Sequence, residues 1–225
     1  MIGLQILPRM RCVDAARVDA FRDLPVANVS DCMARMSAGG SRLRPMHRAG
    51  RLAGPALTVK TRPGDNLMIH QALEMAVPGD VVVVDGGGDL TNALIGELMT
   101  TYARTRGVAG FVVHGAIRDL DVIAAGDFPV YAAGVTHRGP YKDGPGEINV
   151  PVAVDGMVIQ PGDLILGDAD GVLSVPLDEA DAILGAARAK WTAEQKTLQD
   201  IASGRLDQSW IQATLRRIGC PVASP

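Results

Sequence analysis

Apolar positions along the chain alternate between two periods. Residues 12–38 carry apolar side chains at helical spacing, with Asp14, Asp23 and Ser30 as candidate caps. Within them, "VANVSDCMARM" predicts a helix entered through Asn28 or Ser30. "GGSRLRPM" breaks the pattern, and "RLAGPALTVKTRPGD" predicts a strand over 56–61 closed by a Pro-Gly turn. Helical spacing returns over 66–76. "VPGD" then turns the chain into "VVVVDGGGD", whose unbroken β-branched run fits a strand buried on both faces. "TNALIGELMTTYARTRG" (91–107) predicts a helix with Arg104 and Arg106 in its last turn, where the helix dipole favours cations. "VAGFVVHG" is a second buried strand, "LDVIAAGD" a short helix and "FPVYAAGVT" a third strand.

From His137 onward the material is strand and turn. "VAVDGMVI" predicts a hairpin about an Asp-Gly turn, and "PGDLILGDADGVLSVP" two further strands. Helices are expected from Asp178 to about Ser203 and from Asp207 to Ile218. "PGDVVVVDG" and "PGDLILGDADG" share turn chemistry, but their flanks differ, so they mark no repeat. No linker or low-complexity segment divides the 225 residues. One domain over 1–225 is expected, with a core of about 25–195 and a helical tail over 196–225.

The order strand, glycine-rich loop, helix, strand over 81–114 is a βαβ unit with parallel strands. Both strands then end on one edge of the sheet, so "DGGGDLTNALIGE" and "GAIRD" leave from the same place, the edge where open α/β sheets bind ligands. The glycines allow close backbone approach and the helix start offers N–H groups to an anion. Arg118 supplies a forked cation matched to a carboxylate, and Asp119 a hard oxygen ligand of the kind Mg²⁺ takes among waters. Glu97 falls in the first helical turn beside them. Each feature also has an ordinary reading: a solvated turn for Arg118-Asp119, a flexible turn for "DGGGD", a helix-dipole charge for Glu97. The residues alone leave these open.

Composition narrows the classes. The net charge is -3, no basic run occurs and aromatics make up 4%, which argues against a nucleic-acid partner. No apolar run approaches the roughly 20 residues of a membrane span, and no signal peptide is read at the start. Three scattered cysteines without a CxxC argue against a disulfide framework and for a cytoplasmic location. His70 has no partner at zinc-ligand spacing, and His114, in an apolar strand, is expected to be a hydrogen-bonded core residue. Asp168 and Asp170 are expected to serve turns. Of four lysines, Lys142 lies in a polar Gly/Pro loop and is expected to be an ordinary solvated amine rather than a Schiff-base former.

Glu97, then twenty residues, then Arg118-Asp119 resembles the acidic-X20-Arg-Asp signature of the RraA-like proteins. The likeness continues in "GDVVVVDGGG", "ALIGEL" and "GEINVPVAVDGMVIQPGDLILGDADGVLSVP", and covers about residues 25–195. That family includes class II pyruvate aldolases acting on 4-hydroxy-4-methyl-2-oxoglutarate and 4-carboxy-4-hydroxy-2-oxoadipate. The resemblance implies an α/β fold, a β/β/α sandwich of the swivelling phosphohistidine-domain type, assembled as a homotrimer or homohexamer. It implies Mg²⁺ (or Mn²⁺) on Asp119 and the carboxylate and keto oxygen of a small 2-oxo acid on Arg118. Backbone N–H groups of Ala93, Leu94, Ile95 and Gly96 would grip the carboxylate. Glu97 would orient water at the metal; the family's aldolases usually carry Asp there, one methylene shorter. An acid from a neighbouring subunit's C-terminal helix corresponds to Glu194, and His137 is a candidate for the distal part of the substrate. The implied reaction is retro-aldol cleavage to pyruvate, with oxaloacetate decarboxylation through the same enolate. The alternative within the family is a non-catalytic protein that inhibits a ribonuclease. Retention of Glu97, Arg118 and Asp119 favours catalysis. Some members carry a methyltransferase label, which no S-adenosylmethionine loop in this sequence supports.

Overall fold

The computed structural model describes residues 3–36 and 40–221. Positions 37 and 38 of the expected helical stretch, Gly39 of the breaker cluster and the end of the tail lie outside the described residues.

The chain begins with β1 (Leu4–Ile6), α1 (Ala15–Phe21) and α2 (Val26–Cys32). Asp14 caps α1 as its position predicts, accepting the Arg17 N–H at 2.8 Å. α2 starts earlier than expected. Pro25, whose ring fixes φ, precedes its first residue, and the distant Asp168 carboxylate accepts the Val26 N–H at 2.9 Å. Asn28 and Ser30 therefore lie inside the helix, and Asp23 falls in the turn before it.

β2 (Arg44–Pro45), β3 (Leu52–Thr61), α3 (Leu67–Met75) and β4 (Val81–Asp85) follow. Next come β5 (Ala93–Ile95), α4 (Glu97–Thr105), β6 (Gly110–Ile117), α5 (Leu120–Ala125) and β7 (Val130–Val135). The helix expected over 91–107 is thus a strand followed by a shorter helix. Ala93 and Ile95 pair with Ala116 and Ile117 of β6, and helix begins only after Gly96. β8 (Gly146–Ile148), the hairpin β9 (Val152–Val154) and β10 (Met157–Ile159), and the pair β11 (Leu164–Asp168) and β12 (Gly171–Val175) complete the strands among the described residues. The Asp-Gly turn of the hairpin puts Asp155 and Gly156 at φ 48° and 89°, the left-handed pair such a turn requires. α6 (Ala180–Ala202) and α7 (Ser209–Arg217) close the chain.

The fold is mixed α/β. The main sheet runs β1-β8-β3-β4-β6-β7-β2, with β3, β4, β6 and β7 parallel neighbours, as the βαβ reading requires. Alternation along the strands divides the core. Val82, Val84, Phe111 and Val113 face Ile69 and Leu73 of α3 and Met99 and Ala103 of α4. Val81, Val83 and Val112 face the other way, onto Val154, Met157 and Ile159 of the hairpin. A third cluster packs Phe21 and Val29 of the first two helices against Leu166 and Leu173. Each fully buried Val, Leu or Phe contributes roughly 1.5–3 kcal/mol relative to exposure. The chain up to Ala187 forms one compact unit, and the remainder, with the rest of α6 and α7, a second. Among the described residues no helix is long and apolar enough to cross a membrane.

Candidate active site

Parallel pairing of β4 with β6 sets Asp85 opposite His114, and β6 continues three residues further, to Ile117. β5 fills the space beside that extension and delivers Gly96 to Arg118 and Asp119. The Arg118 N–H donates to the Ile95 carbonyl at 3.0 Å. Asp119 sits at the N-cap of α5, but its carboxylate makes no cap bond there. It reaches across to α4 instead, where Oδ2 accepts the Glu97 N–H at 2.9 Å. Asp119 holds φ 57°, a left-handed conformation that Asp tolerates better than most side chains. Arg118 Nε lies 3.8 Å from Asp119 Oδ2, and both side chains are about 40% exposed (42% and 40%), open to a ligand. The approach leaves no room for a side chain at position 96 unless Asp119 and Arg118 shift. A Cβ there would fall 2.3 Å from Asp119 Oδ2 and 2.9 Å from Arg118 Cγ.

These groups border a cavity of about 280 Å³. Ala93, Leu94, Ile95, Gly96, Arg118 and Asp119 line it, so the sequence-derived set largely converges. Three expectations change. The Ala93 N–H donates to the Arg138 carbonyl at 2.8 Å, which takes it away from any ligand carboxylate. Glu97 contributes its backbone N–H to Asp119, while its exposed side chain is not among those lining the cavity. His137 is exposed beyond the end of β7 and also stays off the wall; the loop that follows it supplies Gly139, Pro140 and Lys142 instead. Glu194 belongs to the second unit, on α6, where its Oε1 is 3.1 Å from Lys190 Nζ.

Asn66, His70 and Lys142 are lining residues that sequence reasoning missed in this role. Lys142 is exposed, as its polar loop predicts, but it also borders the cavity, because the tether of its loop lies far off in sequence. Asp65, fully buried, accepts the N–H groups of Asp143 and Gly144 at 2.8 and 2.9 Å and pairs with Arg62 at 3.1 Å. The Asn66 N–H donates to the Tyr141 carbonyl at 3.0 Å, and Tyr141 N–H to the Gly64 carbonyl at 2.8 Å. The loop that carries Lys142 is thereby tethered beside the cavity. Partial desolvation, and then the Lys142 ammonium, push the His70 imidazole below its ordinary pKa. Lys142 and Arg118 both line the cavity.

Among the described residues no cluster of three or more His, Cys, Asp or Glu could hold a metal ion. A single carboxylate among the described residues, that of Asp119, lines the cavity. That suits a hard cation such as Mg²⁺ or Mn²⁺, which keeps most of its positions for water and ligand oxygens, and does not suit a tetrahedral zinc site. His114 is a satisfied core residue. It is buried, takes the Asp155 N–H on Nδ1 at 3.4 Å, and lies between the Asp85 and Asp155 carboxylates at 3.8 and 3.9 Å. Asp168 and Asp170 serve their turn, Asp170 N–H to Asp168 Oδ1 at 3.0 Å.

A mixed α/β sheet with an Arg-Asp pair at a strand end, met there by a glycine-bounded helix start, defines a recognisable class. The family model described as RraA-like, Aldolase/RraA, matches residues 26–174, and the chain belongs to this family. A Halalkalibacterium halodurans relative, 41% identical over 77% of this chain and 82% of its own length, carries the provisional name 4-hydroxy-4-methyl-2-oxoglutarate aldolase. Streptomyces coelicolor RraAS2, described as an unusual member of the RNase ES inhibitor RraA protein family, superposes with a TM-score of 0.75 at 28% identity. That match covers 84% of this chain and 98% of that one. The RNA-processing inhibitor RraA of Thermus thermophilis gives 0.63 at 33% identity over 68% and 93%.

Proposed function

We propose that this protein is a divalent-metal-dependent class II aldolase that cleaves a 4-hydroxy-2-oxo acid to pyruvate and a second carbonyl compound. The observation that carries the reading is the meeting, at one cavity, of Arg118, the Asp119 carboxylate, the backbone of 94–96 and Lys142. A pure protein-binding surface has no need of that combination. The layering of hairpin, sheet and helices supports the swivelling phosphohistidine-domain type.

In this mechanism Asp119 holds Mg²⁺ or Mn²⁺, which when bound supplies Lewis-acid polarisation of the 2-oxo acid end. Arg118 binds the carboxylate and keto oxygen of the substrate. Its permanent charge faces the oxygen on which negative charge accumulates when the C3–C4 bond breaks. The electrons of that bond pass into the pyruvate enolate, and C4 becomes a carbonyl as its hydroxyl proton leaves to water in the cavity. A proton returned to C3 completes pyruvate. Lys142 faces the same cavity and suits a second carboxylate, which favours dicarboxylic substrates. Oxaloacetate presents the same pyruvyl end, and its decarboxylation passes through the same enolate. The working form is a cytoplasmic homotrimer or homohexamer in which Glu194 of another copy adds an acid.

The test is pyruvate release, coupled to lactate dehydrogenase, from a panel of 4-hydroxy-2-oxo acids and oxaloacetate with Mg²⁺. Arg118→Ala is expected to lower the rate by about 10²–10³-fold, the usual loss for one preorganised donor to a developing oxyanion. Inhibition of a ribonuclease without pyruvate from any panel member would replace this reading with the binder suggested by the Thermus relative.

A further inference from the structure

The edge of β5 that faces the cavity mixes polarities. The Ile95 carbonyl takes the Arg118 N–H on the β6 side, so the N–H of the same peptide, that of Gly96, points away from β6. The Leu94 carbonyl leaves the strand on that side too, where the Asn66 side chain meets it. A carboxylate approaching this edge meets one favourable N–H and one carbonyl oxygen that repels it.

Asn66 is 3% exposed, borders the cavity, and has both amide hydrogens engaged. Nδ2 donates to the Leu94 carbonyl at 3.0 Å and to Met99 Sδ at 3.4 Å. Its Oδ1 is buried without a hydrogen-bond partner among the described groups. An unpaired buried acceptor is destabilising and offsets part of what the two Nδ2 bonds contribute.

We propose that Asn66 is a positioning residue for anion binding: by occupying the Leu94 carbonyl, its amide leaves the cavity edge of β5 a donor edge for a carboxylate. The inference rests on the 2-oxo acid reading and assigns a role in it that touches no reacting atom. Because both donors are spent within the protein, Asn66 does not itself bind the ligand. It covers a backbone oxygen that opposes ligand binding, and it ties β5 to α4 beside Arg118 and Asp119.

Pyruvate and oxalate titrated calorimetrically into the full chain with Mg²⁺ test this. Asn66→Ala should weaken both by about tenfold, the scale of one neutral hydrogen bond. Asn66→Asp should weaken them further, because a carboxylate there leaves the Leu94 oxygen unmasked and adds a like charge beside the ligand. The loss should appear in KM, with kcat within about threefold of wild type, since an interaction shared by ground and transition states shifts KM alone. A merely structural role predicts equal losses in the two variants, a lowered kcat and a lowered melting temperature. Either that pattern or wild-type affinity in both variants overturns the proposal while the aldolase reading stands. If Asn66→Asp fails to fold, wild-type affinity in Asn66→Ala alone is sufficient to overturn it. If the wild-type chain binds neither anion, the aldolase reading and this inference fall together.

Discussion

Gly96→Ala is the sharpest single perturbation of the site. Gly96 has φ −158°, an extended backbone that alanine adopts without strain, so the effect is confined to the added methyl group. That carbon would stand 2.3 Å from Asp119 Oδ2, 2.9 Å from Arg118 Cγ and 3.2 Å from Arg118 Nε. The carboxylate must retreat by about 1 Å to restore ordinary contact, and a displacement of that size costs roughly 10²-fold in rate, or about 2.7 kcal/mol of barrier. It also stretches the Glu97 N–H bond to Asp119, worth about 1 kcal/mol, which lowers the melting temperature of a chain this size by about 2–4 °C. The coupled pyruvate assay with saturating Mg²⁺ and a thermal melt followed by circular dichroism measure both quantities. A variant with wild-type activity would refute the close packing of Arg118 and Asp119 against β5. A variant that loses its fold would refute the assignment of Gly96 to the site rather than to the core.

Lys142→Met should raise the His70 pKa, read by NMR titration, because one of the two causes that depress it is the Lys142 charge; it should also raise KM for dicarboxylic substrates more than for monocarboxylic ones. Asp65→Ala removes the fully buried acceptor of the Asp143 and Gly144 N–H groups and should cost about 1–3 kcal/mol in denaturant unfolding, the scale of leaving a buried donor unsatisfied. Asp155 is held below its ordinary pKa first by the hydrogen bond from Arg42, and also by the charges of Arg42 and His114. Its folded-state pKa lies below its unfolded one, so its stabilisation is full above the unfolded value of about 4 and is lost as pH falls through the folded value. Asp155→Asn should therefore melt lower than wild type at pH 7, with the gap closing as pH falls through the folded-state value.

The parallel strands, the hairpin and the C-terminal helices were legible because their signals are local: β-branched runs, an Asp-Gly turn, helical spacing. Arg118, Asp119 and Gly96 were legible because parallel pairing fixes which loops share an edge. β5 was not, since three apolar residues leading into a helix look like its first turn until β6 is present to pair with them. The cap of α2 was hidden for a similar reason, as it comes from Asp168, which is 142 residues away. Lys142 and Asn66 escaped because their placement depends on Asp65 and on the crossing of the 139–145 loop, contacts that no periodicity encodes. The availability of individual N–H groups is likewise a tertiary fact, and the Ala93 bond to Arg138 shows it.

The central claim is that Asp119 carries a catalytic metal for pyruvate-forming cleavage. Asp119→Asn tests it most directly. Asparagine tolerates the same left-handed backbone and keeps an oxygen for the Glu97 N–H, so the substitution removes charge and little else. The expected result is pyruvate from a 4-hydroxy-2-oxo acid in the wild-type chain, abolished by EDTA, restored by excess Mg²⁺, and lowered at least about 10²-fold in a folded Asp119→Asn variant. Pyruvate formation that survives both EDTA and Asp119→Asn would contradict the account.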